Sequence, residues 1–266
     1  MAINVNNFVV ERVRRALMMN TATGDCMFTI TQVENPSIKC TGESKDAVDA
    51  IGNPIITFNT AKKAEISASN SLFDLSLAAA QFGTSKVNAS ESSKIVTPKI
   101  EEFTTVSSQT TYTLAQVPVG VEGSEIKKVF ALNSDNSIAK SFSLGTTTAT
   151  ATTFLLNAST KEITLPTGLA VGTRMLVLYD YEATSASKIT NSASNFPTAG
   201  KLVLEVIGSD VCNVSTKYFA YVVCDNASLT SEVDISLATD GKRPFTIKCN
   251  QNYCDAEKKL FDIIIA

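Results

Sequence analysis

The side chains that most often carry out catalysis are scarce in this sequence and badly spaced for it. The 266 residues contain no histidine, so the usual general base near neutral pH and the commonest metal ligand are both missing. Two carboxylates can hydrolyse a glycosidic bond, and the candidates are Glu101 with Glu102 and Asp180 with Glu182. Adjacent residues of a strand point to opposite faces, which places Glu101 and Glu102 poorly for joint action. The sequence therefore predicts a protein that is not an enzyme and has no cofactor; a carbohydrate-active enzyme with two carboxylates is the alternative.

The cysteines are also spaced unlike a metal or redox site. None of them falls in a C-x-x-C pair, and the closest two are separated by four residues. We expect reduced thiols that act as small buried apolar side chains, and no bound metal. The first residues do not resemble a signal peptide and no apolar run approaches ~18 residues, so we expect no membrane contact. The six positions are Cys26, Cys40, Cys212, Cys224, Cys249 and Cys254.

Charge is low and nearly balanced. Charged residues make up 18% of the chain, below the ~25% that is usual for soluble domains, and the net charge is −3. A balance so close to neutral does not indicate strong capture of nucleic acid. Arg12, Arg14 and Arg15 form the one local basic cluster, and three arginines beside one acid favour a solvated or subunit-facing rim over a nucleic-acid patch.

A change of periodicity near residue 70 predicts the helix around which the first domain is organised. Ile55–Asn59 and Lys63–Ser69 have the pattern of two short strands. Ser71 and Asp74 then form an S-x-x-D capping box, and Gly83 lies where a glycine ends a helix. The helix between them is apolar around most of its circumference, so we expect it to seal one end of a β-barrel or sandwich. Its core residues are Leu72, Phe73, Leu75, Leu77 and Phe82.

Two segments before this helix have more than one interpretation. Phe8–Asn20 has apolar residues on one helical face, but its Phe-Val-Val start also suits an edge strand. Thr41–Pro54 is polar and far longer than a tight turn. It is either a mobile surface loop or an arm that docks onto a neighbouring subunit. The candidate inter-subunit residues of this loop are Glu43, Lys45, Asp46 and Asp49.

The rest of the chain alternates short strands with turn residues, which is typical of antiparallel β domains. Two Ser-rich segments, at 84–96 and 182–200, resemble linkers. They predict one β domain from residues 1–96 and 182–266, interrupted by an inserted, small immunoglobulin-like β-sandwich at 97–181. Strands are expected at 111–114, 127–132, 139–144, 153–156, 162–165 and 174–181 in the inserted domain, and at 201–207, 217–224, 232–237, 244–249 and 260–265 after it.

The run from Met27 to Gly83 resembles the front half of bacteriophage major tail tube proteins. The similarity lies in the strand pair, the polar loop ending in Gly52-Asn-Pro54, and the segment from Lys62 to Gly83 that contains the predicted helix. Residues 243–262 are similar to the closing strands of phage tail proteins. The resemblance covers about half of the chain and does not include residues 97–181.

The resemblance implies a mainly β fold: two packed antiparallel sheets, as a barrel or sandwich, with one flanking α-helix. It also implies hexameric rings that stack into a tube in the virion tail, made in the host bacterial cytoplasm, through which genomic DNA passes. Partners would be further copies of the chain and neighbouring tail proteins such as a terminator, sheath or baseplate. Lumenal acids would repel phosphate, and Glu65 is the candidate lumen-facing residue. The alternative is another phage structural module, a capsid decoration protein or a tail fibre adhesin.

Overall fold

The computed structural model describes residues 7–239, 241–253 and 256–266. In it the chain divides into two compact units. Unit 1 contains the described residues of 1–86 and 189–266, and unit 2 contains residues 87–188. The described residues are mainly β, with one α-helix and with sheets whose pairings are antiparallel except for one in unit 2, which confirms the predicted fold class.

The elements follow one another in this order: β1 (Phe8–Met19), β2 (Cys26–Ile30), β3 (Val33–Val48), β4 (Pro54–Asn70), α1 (Leu75–Gln81), β5 (Val87–Asn88), β6 (Ile95–Thr104), β7 (Thr111–Thr113), β8 (Lys128–Leu132), β9 (Ile138–Leu144), β10 (Thr153–Asn157), β11 (Glu162–Thr164), β12 (Arg174–Ala183), β13 (Ser187–Lys188), β14 (Ala199–Asp210), β15 (Asn213–Leu229), β16 (Arg243–Cys249) and β17 (Asp262–Ile265).

Unit 1 is built on one curled sheet. Its strands lie in the order β2-β1-β14-β15-β16-β4-β3, and β17 pairs with β15 beside β16. The two outermost strands, β2 and β3, are separated in sequence only by Thr31 and Gln32. Because so short a connection joins the two ends, the sheet curls into a half-barrel around an apolar interior. That interior includes Met18, Phe28, Ile66, Leu202 and Ile247.

Helix α1 packs Leu77 and Ala80 against this interior, and it begins later than the sequence pattern suggests. Asp74, and not Ser71, caps it: one carboxylate oxygen accepts the N–H groups of Ser76 and Leu77 at 2.7 and 2.9 Å. Leu77 is buried in the core, and Leu75 and Phe82 are half-buried. Gly83 ends the helix at φ +66°, and a Cβ there would meet the Phe196 carbonyl.

Leu72 and Phe73 are corrections to the predicted helix core. They precede α1 and are 58% and 53% exposed in the single chain. The reason is the end of β4, where the Asn70 side chain accepts the N–H of Leu72 at 3.0 Å and the chain turns before Asp74 can cap the helix. The two predicted strands before the helix are likewise one continuous strand, β4.

The helical interpretation of Phe8–Asn20 is wrong, because this segment is strand β1, paired with β14 on one side and with β2 on the other. No strand forms at 232–237. The other strands expected after residue 200 are present as β14, β15, β16 and β17.

Unit 2 is a separate β unit with its own core. Its sheet has the order β6-β12-β8-β9-β10-β11-β7 and encloses apolar side chains that include Phe142, Phe154 and Met175. The six strands predicted between residues 111 and 181 are all present. Both expected linkers contain strand: β5 and β13 pair with each other, and β6 begins at Ile95. That this unit is an inserted immunoglobulin-like domain stays a prediction.

Candidate assembly surfaces

Four strands of unit 1 form a layer that is unfinished on both sides. The strands are β1, β14, β15 and β17, adjacent in that order, and we call them the four-strand layer. All three pairings are antiparallel, so the strand directions alternate across the layer. Each outer strand of the layer has a backbone edge to which no other described strand is fully paired.

The first free edge belongs to β1. Strand β2 covers only Ala16–Met19, so within the described chain the preceding residues, 8–15, have no strand on that side. Val9 and Val10 are 55% and 58% exposed along this stretch. Unpaired N–H and C=O groups next to exposed β-branched side chains are a template for another strand.

The second free edge belongs to β17, on the opposite side of the layer. Its only partner in the described structure is β15. Ala266 and Phe219 exchange both backbone hydrogen bonds, at 2.8 and 3.3 Å. Hydrogen-bonded and non-hydrogen-bonded pairs alternate in an antiparallel ladder, so the N–H groups of Ile263 and Ile265 point outward. Ile263 is 61% exposed.

The two faces of the four-strand layer differ in chemistry. One face packs into unit 1 through residues such as Val13, Val206 and Ala220. An apolar groove of about 270 Å³ continues this face and is lined by residues near both free edges, among them Phe8, Val10 and Ile263. The other face, which we call the outer face, carries half-buried and charged side chains.

Two β-bulges place arginines on the outer face. Arg12 lies opposite Ile207 and Arg15 opposite Glu205, with register shifts on either side of Val13. Residues 205 and 207 are two apart on β14, so Arg12 and Arg15 share a face although they are three apart in sequence. Arg14 reaches the same face, with its guanidinium 3.3 Å from Glu205 and 5.8 Å from the centroid of the Phe219 ring.

The acids around the outer face all have basic partners. Glu205 pairs with Arg14, Glu11 with Lys217 at 2.5 Å, Asp225 with Lys201 at 2.8 Å, and Asp262 with Lys259 at 3.6 Å. The hydrogen bond from Lys217 holds the pKa of Glu11 below its usual value. Arg12 and Arg15 form no ion pair with any described residue and are exposed.

The predicted loop at Thr41–Pro54 is instead a β-ribbon, which corrects the loop assignment. Strands β3 and β4 pair from Val33 to Val48, whereas β16 covers only residues 64–70 of β4. Residues 41–63 therefore extend beyond the sheet as a two-stranded hairpin, which we call the arm. The sequence did not predict this ribbon, because both faces of the arm meet water and its residues therefore do not alternate between polar and apolar.

Three of the four candidate residues of the predicted loop, Glu43, Asp46 and Asp49, form side-chain contacts within the arm. Glu43 forms an ion pair with Lys63, and this hydrogen bond lowers the pKa of Glu43. Asp46 accepts the Thr57 hydroxyl at 2.6 Å. Lys45 lies opposite Phe58. Asp49 accepts the backbone N–H groups of Ile51 and Asn53 at the tip, and the Asn53 hydrogen bond lowers the pKa of Asp49. Their role between subunits stays a prediction.

The arm also exposes apolar side chains. Ile56 and Phe58 are 54% and 55% exposed, lie two residues apart on one face, and are opposite Ala47 and Lys45. A two-stranded hairpin is at best marginally stable alone in water. An arm of this length with an apolar stripe on one face therefore favours contact with another surface.

Glu65 lies on β4 between the buried Ala64 and Ile66, so its side chain is on the face away from the core. It is opposite Lys39 on one neighbouring strand and Lys248 on the other. Its strand is not part of the four-strand layer, and its orientation towards a lumen stays a prediction.

Both carboxylates of the first candidate pair have structural partners. Glu101 is buried in unit 2, where it accepts the Tyr112 hydroxyl at 3.1 Å, the Ala115 N–H at 3.0 Å and the hydroxyl of Tyr179. Glu102 instead pairs with Arg174 at 2.6 Å. Burial and then the Glu101 hydrogen bond raise the pKa of Tyr179. Neighbouring acids on β6 thus have different environments, as the alternation of a strand requires.

The cysteines only partly match the expected buried thiols. All five described cysteines are free. Cys224 and Cys249 are buried, but Cys26 at the start of β2, Cys40 on β3 and Cys212 in the turn between β14 and β15 are exposed. The expectation for Cys254 lies outside the described residues. A hydrogen bond with Cys224 and burial raise the pKa of Cys249.

The described residues bring together no metal-binding cluster, and their one helix is too short to cross a membrane.

Comparison with known proteins adds an independent finding. No curated protein matches the chain. The model of the YomU/Tube protein family matches residues 8–258, which include nearly all of both units and both strands of the arm. A match over that length is consistent with the resemblance to phage tail tube proteins, and the family name indicates a structural protein of a phage tube. The chain therefore belongs to the YomU/Tube protein family.

Proposed function

We propose that the protein is the subunit of a phage tail tube, in which six copies close into a ring and rings stack into a conduit for DNA. The observation that carries this proposal is the four-strand layer with a free edge on each side. In this proposal the free edge of β17 in one copy pairs with the free edge of β1 in the next. The protein acts structurally and is located in the virion tail.

Strand direction supports the proposed pairing. The directions alternate from β1 through β14 and β15 to β17, so β17 runs antiparallel to β1. Rotation about a ring axis preserves direction, and β17 of one copy would thus meet β1 of its neighbour in antiparallel orientation. Every copy adds an even number of strands, and the ring closes as an all-antiparallel barrel without a parallel junction.

The offset between the two edges also suits a barrel. Strand β17 lies level with residues 203–206 of β14, because it pairs with residues 220–223 of β15. The free part of β1 lies level with residues 205–210. Strands in a closed barrel are tilted and their register is staggered. Joining edges that are displaced along the strand direction provides such a stagger.

The contact is of the kind that forms rings. Two different surfaces of the same chain meet, and such head-to-tail contacts close into a ring when the rotation permits. The low charge of the chain and the exposed Val9, Val10, Ile263 and Ile264 fit burial between copies. In the same proposal the arm contacts the next ring, and neighbouring tail proteins cap the ends of the tube.

Negative-stain microscopy of the purified protein, with its mass measured by light scattering, tests the proposal. We expect hexameric rings or hollow tubes that form at high protein concentration. A strict monomer at high concentration would contradict it, and a compact trimer would instead favour the capsid decoration or tail fibre alternative.

The role of the arm has its own test. Phe58→Ser changes an exposed side chain, so the single chain should fold normally, while tubes should become shorter or stop at single rings. Ile138→Ser, at a similarly exposed position of unit 2, is the matched control and should leave tube length unchanged. Tubes of normal length from the Phe58→Ser protein would exclude the Phe58 side chain from ring stacking.

A further inference from the structure

We infer that the outer face of the four-strand layer binds the phosphates of DNA through Arg12 and Arg15. The inference rests on the proposed function, because the face of the layer that is not packed into unit 1 would line the tube. The lumen surface would then be basic around Arg12 and Arg15, whereas the resemblance to tail tube proteins implies an acidic one. The face is defined by the residues of β1, β14 and β15 that alternate with the buried ones.

The position of the two arginines depends on the backbone. In a regular strand, residues three apart point to opposite faces. The register shift between Val13 and Arg15 removes this alternation and directs Arg12 and Arg15 to the same side. Bulges commonly re-aim side chains next to functional surfaces. In the bulge between Val13 and Arg15, Arg14 is the extra residue, and its guanidinium forms an ion pair with Glu205.

The charge on this face is not cancelled locally. The acids around it have basic partners: Glu205 has Arg14, Glu11 has Lys217, Asp225 has Lys201, and Asp262 shares Lys259 with Glu257. Arg12 and Arg15 stand in addition to these pairs. A chain with a net charge of −3 thus carries two guanidinium groups on this face without an acidic partner among the described residues.

The surroundings of the arginines fit an extended polyanion better than a small ligand. Ile207, Phe219 and Tyr221 are half-buried on the same face, so Arg12 and Arg15 project from the surface of a paired sheet. Duplex DNA carries one negative charge for about every 1.7 Å of its axis, so it can contact separate arginines of successive copies. Arginine is suited to this because its planar guanidinium donates to two phosphate oxygens.

The ligand class is therefore the sugar-phosphate backbone of double-stranded DNA, without sequence preference. Around a ring of six copies, the same two arginines would recur at one height and form a basic band. Such contacts are individually weak and exchange rapidly with counterions, which allows the DNA to slide while it stays centred.

The test uses the full chain and a short, labelled DNA duplex. Binding is measured by fluorescence anisotropy over a range of salt concentrations for three proteins: the unchanged chain, R12Q/R15Q, and K127Q/K128Q. The last variant removes two exposed charges from unit 2 and is the matched control. The plot of log K against log salt has a negative slope, and each lost phosphate contact should make that slope shallower by about 0.9.

We expect R12Q/R15Q to reduce affinity at least several-fold and to make the slope shallower, while K127Q/K128Q binds like the unchanged chain. An equal loss in both variants, or no binding by the unchanged chain at low salt, would overturn the inference. Competition by polyglutamate that equals competition by unlabelled DNA at the same charge would also overturn it, because the face would then bind any polyanion.

Microscopy of the same preparations separates this inference from the proposed function. Rings or tubes from all three proteins, with DNA binding unaffected by R12Q/R15Q, would refute the basic lumen and leave the tube proposal standing. If none of the proteins forms rings, the tube proposal fails, while DNA binding that depends on Arg12 and Arg15 would still support the basic face.

Discussion

The free strand edges of the two units differ in what protects them from pairing with another strand. In unit 2 the sheet ends at one side in β7, which is only three residues long, and at the other in β6, which contains Pro98 and the exposed Glu102. Short strands, prolines and charges are the usual protection against edge pairing. Exposed β-branched residues occur on both kinds of edge, Val96 and Ile100 on β6 and Val9, Val10 and Ile263 on β1 and β17, but the free edges of unit 1 contain no proline.

In the proposed tube, this difference reflects a unit 1 that pairs with a neighbouring copy and a unit 2 that does not. Unit 2 also fixes its interior with a polar network, in which Glu101 holds Tyr112 and Tyr179. Unit 1 has an apolar groove that opens beside its unfinished edges. We therefore expect assembly to depend on unit 1 and to be insensitive to changes in unit 2.

The largest expected effect comes from removing one outward N–H. Ile263→Pro deletes a donor on the free edge of β17 and leaves the hydrogen bonds between β17 and β15 intact, because the inward N–H groups belong to Ile264 and Ala266. The variant should remain a folded monomer and form no tubes in negative stain. Ile263→Val is the control and should assemble normally. Normal tubes from Ile263→Pro would show that this edge is not an interface.

Helix α1 gives the next largest effect, on folding. Leu77→Ala removes a buried side chain from the core of unit 1 and should lower the free energy of unfolding by about 2–5 kcal/mol. Leu72→Ala changes an exposed side chain just before the helix, and its effect on a single chain should stay within about 0.5 kcal/mol. Denaturant unfolding of both variants measures this. Equal losses would mean that Leu72 belongs to the core after all.

A smaller effect concerns alkaline pH and unit 2. The folded-state pKa of Tyr179 is raised above its ordinary value, so the neutral hydroxyl stabilises the fold fully below about pH 10 and this contribution is lost as pH rises further. The melting temperature of the chain should fall above about pH 10, less steeply in Tyr179→Phe. Tyrosinate absorbance is a direct measure, since the chain has six tyrosines and no tryptophan. An equally steep fall in the variant would contradict the role of Tyr179.

The smallest expected effect is on assembly after unit 2 is removed. Ala89 and Ala186 are joined by a backbone hydrogen bond of 2.7 Å next to the paired β5 and β13. Replacing residues 90–185 with Asn-Gly should close this ribbon as a tight turn and leave unit 1 able to form tubes. A shortened chain that folds but cannot assemble would show that unit 2 takes part in the subunit contacts.

Much of this fold could be predicted because its signals are local. Strands β7 to β12 follow from alternation between turn residues, Gly83 marked the end of α1, and the absence of histidine argued against the commonest catalytic sites. The arm could not be recognised, because a ribbon exposed on both faces shows no alternation. Arg12 and Arg15 seemed to belong to a solvated rim, since only the two bulges of β1 bring them to one face.

The central claim is that the free edge of β17 in one copy pairs with the free edge of β1 in the next. Electron cryomicroscopy of the assembled protein tests it most directly, at a resolution that separates strands. We predict a continuous antiparallel barrel in which residues 262–265 of each copy lie beside residues 8–15 of its neighbour. A ring joined through other strands, with both edges still facing solvent, would contradict the account.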